Sequence, residues 1–446
     1  MKPITHLDQN HAYVLKQAQD QDVTFLRIWF TDILGFLKSI NVTKESFAGV
    51  IGDGVGFDGA SIKGFARYEE ADLIALPDTS TFAMLPWRGD RKRVARIFSD
   101  IVTTEGKAHE GDPRQILRRQ IKRAADQGFT FYASAEVEFF LLDPDTQKPN
   151  PVDNAGYFDQ EVSEKTVNVR RQVILTLEQM GIGIHSSHHE GAPGQHEIVL
   201  QYADGLRLAD AIQTTRFVIK EIASRHGMLA TFMPRPLSKV NGSGMHIGVS
   251  LNRDNQNAFY CADDDANLSA EARAFVAGIL NHARSSTLVW NQWVNSYRRL
   301  VAGTEAPAFI SWAHTNRADL VRVPKPGHAD NARLEIRAPD SACNPYLALA
   351  LILAAGLDGV EKGWSPPPPV EQNVFHMSQK DREERGLMTL PQDLGEALRC
   401  ATDNTFCEEV LGSFAWKIYL ENKRLEWEAY RSHVSDWEID RYLRLL

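Results

Sequence analysis

Apolar residues recur at helical spacing over residues 12–22, and a β-rich run, Val23-Thr24-Phe25-Leu26-Arg27-Ile28-Trp29-Phe30, follows directly. Strand-like segments continue from there, broken by Gly-rich turns at Gly52-Asp53-Gly54 and Gly56-Phe57-Asp58-Gly59. Residues 88–102 alternate like a strand, and Glu105-Gly106-Lys107 reads as a turn. Gly111-Asp112-Pro113 then caps a helix predicted over residues 114–127. This places a domain boundary near residue 108 and divides the chain into residues 12–107 and 108–446. Beyond it, β-segments alternate with helices predicted over residues 167–180, 206–225, 271–292 and 345–362. Residues 366–369 are all proline, a stiff linker. Residues 393–446 read as helical and end on Tyr442-Leu443-Arg444-Leu445-Leu446, an apolar tip on a charged tail that predicts docking. The pattern is α+β with no internal repeat.

Composition narrows the class. The chain has 446 residues, 43% hydrophobic and 24% charged, which fits a soluble globular protein with a large core. A net charge of -9 argues against a nucleic-acid binder, which carries a basic face. Four cysteines without CxxC spacing predict reduced thiols and neither a disulfide framework nor a zinc site. Residues 1–10 have no apolar core, and no apolar run is long enough to span a bilayer. The expected setting is the cytoplasm, with neither nucleic acid nor membrane as partner.

The acidic residues carry the chemistry. Glu136 and Glu138 sit two apart in a run bounded by Phe131, Phe139, Phe140 and Leu141, so a strand would point both carboxylates one way. Glu190, Glu197 and Glu335 recur in similar settings, each beside a histidine or an arginine. Burying so much like charge is costly unless cations neutralise it. The economical explanation is a multi-metal site of carboxylates plus the imidazole of His246, and hard oxygen ligands suit Mg²⁺ or Mn²⁺. In the segment from His188 to Glu197, the residues Gly191, Pro193 and Gly194 turn the chain and return Glu197 towards Glu190. Its three histidines suggest zinc, but the spacing is not HExxH and the turn residues forbid a helix. His188, His189 and His196 are therefore read as structural, His196 facing away from the carboxylates. The Gly-rich turn Asn241-Gly242-Ser243-Gly244-Met245-His246 lacks the Lys-Ser/Thr pair of a phosphate loop. Arg298, Arg299, Arg317, Arg322, Arg333 and Arg337 cluster late and supply forked donors for phosphates and a carboxylate. Carboxylates, metals and arginines together are the equipment of phosphoryl transfer.

Taken together, these motifs resemble glutamine synthetase of type I, in the short bacterial form without an adenylylation loop. The resemblance is collinear from about residue 12 onward. It runs through Phe57-Asp58-Gly59-Ala60-Ser61-Ile62, Glu136-Val137-Glu138-Phe139-Phe140, the His188 to Glu197 segment, Asn241 to His246, Asn295 to Pro307, Asn316-Arg317 and Arg333 to Leu347. It implies an N-terminal β-grasp domain and a C-terminal catalytic α/β domain. It implies a homododecamer of two hexameric rings with each site shared between neighbours and the tail inserted into the opposite ring. Glu138, Glu190 and Glu197 resemble the ligands of one metal, and Glu136, His246 and Glu335 those of the second. Asn241, Gly242, His246, Arg299, Glu305 and Arg337 resemble the contacts to glutamate and the γ-phosphate. Tyr202, Ser250, Arg317, Arg322 and Arg333 resemble those to ATP. Asp58, from a neighbouring subunit, with Ser61, Tyr157 and Glu190, resembles an ammonium site, and Arg67 a regulatory arginine. The reaction implied is phosphorylation of the glutamate side chain by ATP and capture of the acyl phosphate by an amine. Glu305 would sit on a closing lid, and Asp58 would take the proton from the ammonium.

Several positions depart from that pattern. Val137 stands for a usual Pro, Gly191 for Val, Gly248 for His or Asn, and Ala60 for Ser. The flap reads Ala302-Gly303-Thr304-Glu305 in place of Pro-Gly-Tyr-Glu. Gly191, Thr304 and Gly248 remove bulk, which predicts an acceptor pocket widened for an amine larger than ammonia, as in a γ-glutamylamide synthetase. The retained Asp58 favours a cationic amine over an arylamine. The alternatives are an ordinary glutamine synthetase that uses ammonia, and a mainly regulatory or structural oligomer.

Overall fold

A computed structural model describes residues 9–62, 72–88, 92–146, 148–160, 164–301, 303 and 305–446. Arg67 and Thr304 lie outside the described residues. The N-terminal part is a mixed sheet with Val23–Thr31 and Arg93–Thr103 parallel at its centre. Leu37–Thr43 flanks one side, and Asp72–Pro77 followed by Val55–Asp58 the other. Leu26, Ile28, Phe30, Ala95, Ile97 and Ile101 are buried from these strands, and Val14 and Ala18 cover them from helix Gln9–Asp20. The segment before Gly52 is not a strand. Phe47–Asp53 is a short helix that buries Phe47, Val50 and Ile51 and stops at Gly54, whose φ of 78° a side chain would oppose.

Helix Pro113–Asp126 begins the larger part, with Asp112 capping Arg114 N–H. Arg114 ties the two parts together: its guanidinium reaches Asp210 at 2.9 Å and Asp78 of the N-terminal part at 2.8 Å. A buried cation needs such partners. Four further long helices are Glu164–Gln179, Gly205–Arg225, Ala270–Trp290 and Pro345–Lys362, each within a few residues of expectation. They cover one face of a sheet ordered Trp312–Ala313, Val321–Arg322, Leu334–Ile336, Met245–Arg253, Thr130–Leu142, Gln195–Leu200, Ile184–His189. Except for the pairing of the first two strands, these contacts are antiparallel.

Alternation assigns the two faces of this sheet. Phe131, Ala133, Ala135, Val137 and Phe139 pack into the core with Met245, Ile247, Val249, Leu334 and Ile336. Their neighbours Ser134, Glu136, Glu138, His246, Ser250, Arg333, Glu335 and Arg337 line a cavity on the opposite face. The chain ends in helices Leu394–Thr402, Phe406–Leu411, Ser413–Arg431 and Asp436–Tyr442. Trp437, Ile439, Leu443, Leu445 and Leu446 of the last segment are exposed. Among the described residues, no helix is long and apolar enough to cross a membrane.

Candidate active site

Strand register brings the carboxylates together. Glu138 stands opposite Glu197, Glu136 opposite His246, and Glu335 opposite Gly248, all on the cavity face. The cavity measures about 1060 Å³. Glu136, His246 and Glu335 form one group of potential ligand atoms and His188, Glu190 and Glu197 a second, the atoms of each lying within 4.8 Å of one another. His246 Nδ1 is 2.9 Å from Glu136 Oε2, and its Nε2 is 3.9 Å from Glu138 Oε1. The turn from Glu190 to Gln195 closes as its sequence suggests, with Glu190 N–H donating to Gln195 O at 2.8 Å.

The electrostatics follow from this crowding. Burial, and then repulsion from Glu190, push Glu138 up to about 8. Burial, and then the charges of Glu136, Glu138 and Glu190, push Glu197 up to about 10. Burial, followed by the nearby Arg337, holds His246 well below the usual imidazole range, so it is the neutral, metal-ligating form. These carboxylates cannot all ionise beside one another without added positive charge. An oxygen-rich set with one neutral imidazole fits hard divalent cations. Glu335 already meets two arginines, Arg322 at 3.0 Å and Arg337 in a close ion pair.

Arg299 is fixed by backbone. The short helix Ser296–Arg299 delivers Arg299, whose guanidinium donates to Ala338 O at 2.8 Å and Arg337 O at 3.0 Å. A Cβ on Gly244 would lie 2.5 Å from Arg299 and 3.1 Å from both Glu138 and His246, so this close approach requires glycine. Arg317, Arg322, Arg333, Tyr202 and Ser250 also line the cavity, as do Asn241, Gly242, Tyr157 and Glu305. Arg317 is held above its ordinary range first by a hydrogen bond with Tyr157.

Two expectations change, those for His188 and Gly248. His188 is not a structural histidine: in register with Glu197, it shares the cavity face and sits 2.9 Å from Glu190 Oε1. His189 and His196 do turn away, towards Asp153. Arg170 donates to His196 Nδ1 at 2.7 Å; a guanidinium only donates, so the proton of neutral His196 sits on Nε2 and this cluster is a packed ion network, not a metal site. Gly248 does not adjoin Gly191. A Cβ there would meet Ser134 Oγ at 2.6 Å and Tyr202 OH at 3.5 Å, beside Arg333, the side the resemblance gives to the nucleotide. Asp58 and Ser61 do not line the cavity; Asp58 is exposed and accepts from Ala60 N at 2.9 Å and Ser61 Oγ at 3.2 Å.

Gln195 was missed. It is buried, and its amide donates to Glu138 Oε2 at 3.0 Å and Gly242 O at 3.1 Å while accepting from Ala192 N. Its position two residues before Glu197, on a strand next to the Glu138 strand, was the available signal.

A sheet face that carries carboxylates, a neutral imidazole and several arginines, Arg299 among them locked by backbone carbonyls, defines a phosphoryl-transferring, metal-dependent enzyme class. The comparisons make the class specific. The family model "Glutamine synthetase, catalytic domain" matches residues 110–442, and "Glutamine synthetase, beta-Grasp domain" matches residues 22–104. The glutamine synthetase of Mycolicibacterium smegmatis is 48% identical over 446 residues, covering 98% of this chain and 100% of that one. That of Thermotoga maritima is 46% identical over 431 residues, covering 96% and 98%. A solved structure titled as a GmaS/ADP complex superposes with a TM-score of 0.88 at 32% identity, covering 97% of this chain and 99% of that chain. The Plasmodium falciparum glutamine synthetase shares the fold, with a TM-score of 0.86 at 24% identity, covering 99% and 100%. The chain belongs to the glutamine synthetase family. It is therefore an ATP-dependent carbon–nitrogen ligase, of a family that uses glutamate, ATP, ammonia and divalent metals.

Proposed function

We propose that this ligase joins L-glutamate to a primary amine larger than ammonia, forming a γ-glutamyl amide. The observation that carries this is the space at Gly191. A Cβ there would meet nothing closer than Asn241 Nδ2 at 3.8 Å, and the residue adjoins Glu190. The GmaS neighbour hints at the same chemistry. A second reading, ordinary glutamine synthesis from ammonia, is favoured by the 48% identity to glutamine synthetases.

In the proposed reaction, Arg299 and Arg337, with Asn241 and Gly242, orient glutamate. Tyr202, Ser250, Arg317, Arg322 and Arg333 hold the nucleotide. Two divalent cations, Mg²⁺ or Mn²⁺, fit Glu138, Glu190 and Glu197 on one side and Glu136, His246 and Glu335 on the other, where they would neutralise phosphate charge during transfer. Glu305, at the exposed edge of the cavity, serves as a lid that excludes water from the acyl phosphate. Tyr157 and Glu190 draw in the ammonium form of the amine, and Asp58 of a neighbouring subunit, steadied by Ser61, removes its proton before attack.

Gly191 has no left-handed backbone and a Cβ there meets only ordinary contact, so the backbone accepts a side chain. Gly191→Val should move the ratio of kcat/KM for isopropylamine to that for ammonia roughly tens-fold towards ammonia, because one or two methylenes are worth ~1–3 kcal/mol. An unchanged ratio would remove Gly191 from the acceptor pocket.

The site as proposed is completed between subunits of a dodecamer. Support comes from Asp58, exposed and outside its own chain's cavity, and from the apolar tail exposed on the single chain. Asp58→Ala and Glu138→Gln chains, each inactive alone, should recover activity when assembled together, since some junctions then carry both native residues. A fully active monomer by mass photometry contradicts this arrangement.

A further inference from the structure

The geometry points to Phe158 as the residue that reads the carbon substituent of the acceptor amine, an inference that rests on the larger-amine proposal above. Phe158 has a φ of 60°, a left-handed backbone that bulky residues avoid. Its N–H is tied to His189 O at 3.1 Å, which fixes the residue in that conformation. The residue is nonetheless 64% exposed. Such strain concentrates at sites that contact ligands, and among the described non-glycine residues with positive φ Phe158 is the one that lines the cavity.

The surroundings give that ligand its chemistry. The Phe158 ring centroid lies 4.1 Å from that of Tyr157 and 4.6 Å from that of His188. His188 in turn sits 2.9 Å from Glu190 Oε1. Phe158, Tyr157, His188 and Glu190 all line the same cavity. An aromatic wall therefore stands next to a carboxylate. That pairing suits a primary alkylammonium: the nitrogen is drawn to the carboxylate while the alkyl group covers the ring, whose face also attracts cationic charge. Ammonia has no carbon to place on the ring.

The test is the kcat/KM for isopropylamine divided by that for ammonia, at saturating ATP and glutamate, with assembly followed by mass photometry. Phe158→Gly and Phe158→Asn remove the ring while keeping a residue that accepts the left-handed backbone. Both should lower the ratio about tenfold or more, through KM for the alkylamine, whereas Phe158→Tyr keeps the ring and stays within about threefold of the parent. A ratio unmoved in the Gly and Asn variants overturns the role of Phe158 alone, and so does lost assembly with the ratio kept, which would make the ring a subunit contact. A parent protein that prefers ammonia to every alkylamine overturns both this inference and the larger-amine proposal.

Discussion

Glu138→Gln is expected to abolish ATP- and glutamate-dependent phosphate release while leaving the fold at least as stable. The side chain is buried, and one oxygen accepts from Gly244 N at 2.9 Å and Gln195 Nε2 at 3.0 Å. A glutamine can keep its carbonyl oxygen on those donors. It also removes a charge that Glu190 and Glu136 both oppose. Thermal stability without metal should therefore hold or rise, since relief of burial and of repulsion from Glu190 and Glu136 offsets the lost attraction of Arg299. Catalysis should fall by more than about 100-fold, beyond the roughly 10–100-fold typical of groups that only support a metal ligand. Alanine at the same place would leave two buried donors unpaired, at ~1–3 kcal/mol each, and so would confuse stability with chemistry. The measurements are phosphate release at saturating substrates, Tm in chelator, and Mn²⁺ binding by calorimetry. Near-parental turnover in the Gln variant would remove Glu138 from the metal site.

Arg299→Ala should raise KM for glutamate by about 100-fold and Arg299→Lys by roughly tenfold, since a charge-assisted hydrogen bond contributes ~1.5–3 kcal/mol. The guanidinium is locked by Ala338 O and Arg337 O, and Glu138 lies close enough to oppose loss of its charge. Lysine restores the charge without the fork, so it should rescue only part of the loss. KM for ATP should change little, because the arginines on Leu334–Ile336 and its neighbours, Arg322 and Arg333, remain. An unchanged glutamate KM in both variants would assign Arg299 to scaffolding.

Much of this was legible from spacing. The carboxylates of Glu136 and Glu138 follow from strand alternation alone, and the turn at Gly191 to Gly194 brings Glu197 back beside Glu190. The long helices were legible because their apolar faces persist over many turns, as in Ala270–Trp290 and Pro345–Lys362. Phe47–Asp53 was not, since seven residues with Gly49 and Gly52 carry too little periodicity to separate a helix from a strand. His188 and Gly248 were misjudged for one shared reason: the partner across a strand depends on register, which one sequence does not print. Once Glu197 pairs with His188, and Ser134 with Gly248, both placements follow. Phe158 was invisible because φ leaves no trace in a residue type that normally avoids the left-handed region.

The most direct measurement is kcat/KM of the unmodified protein for ammonia, methylamine, ethylamine, isopropylamine and aniline, with ATP and L-glutamate saturating and the product weighed by mass spectrometry. The proposed function requires a γ-glutamyl alkylamide to form with the highest kcat/KM, and aniline to react poorly. If ammonia has much the highest kcat/KM and glutamine is the product, the widened acceptor pocket is wrong and the protein makes glutamine.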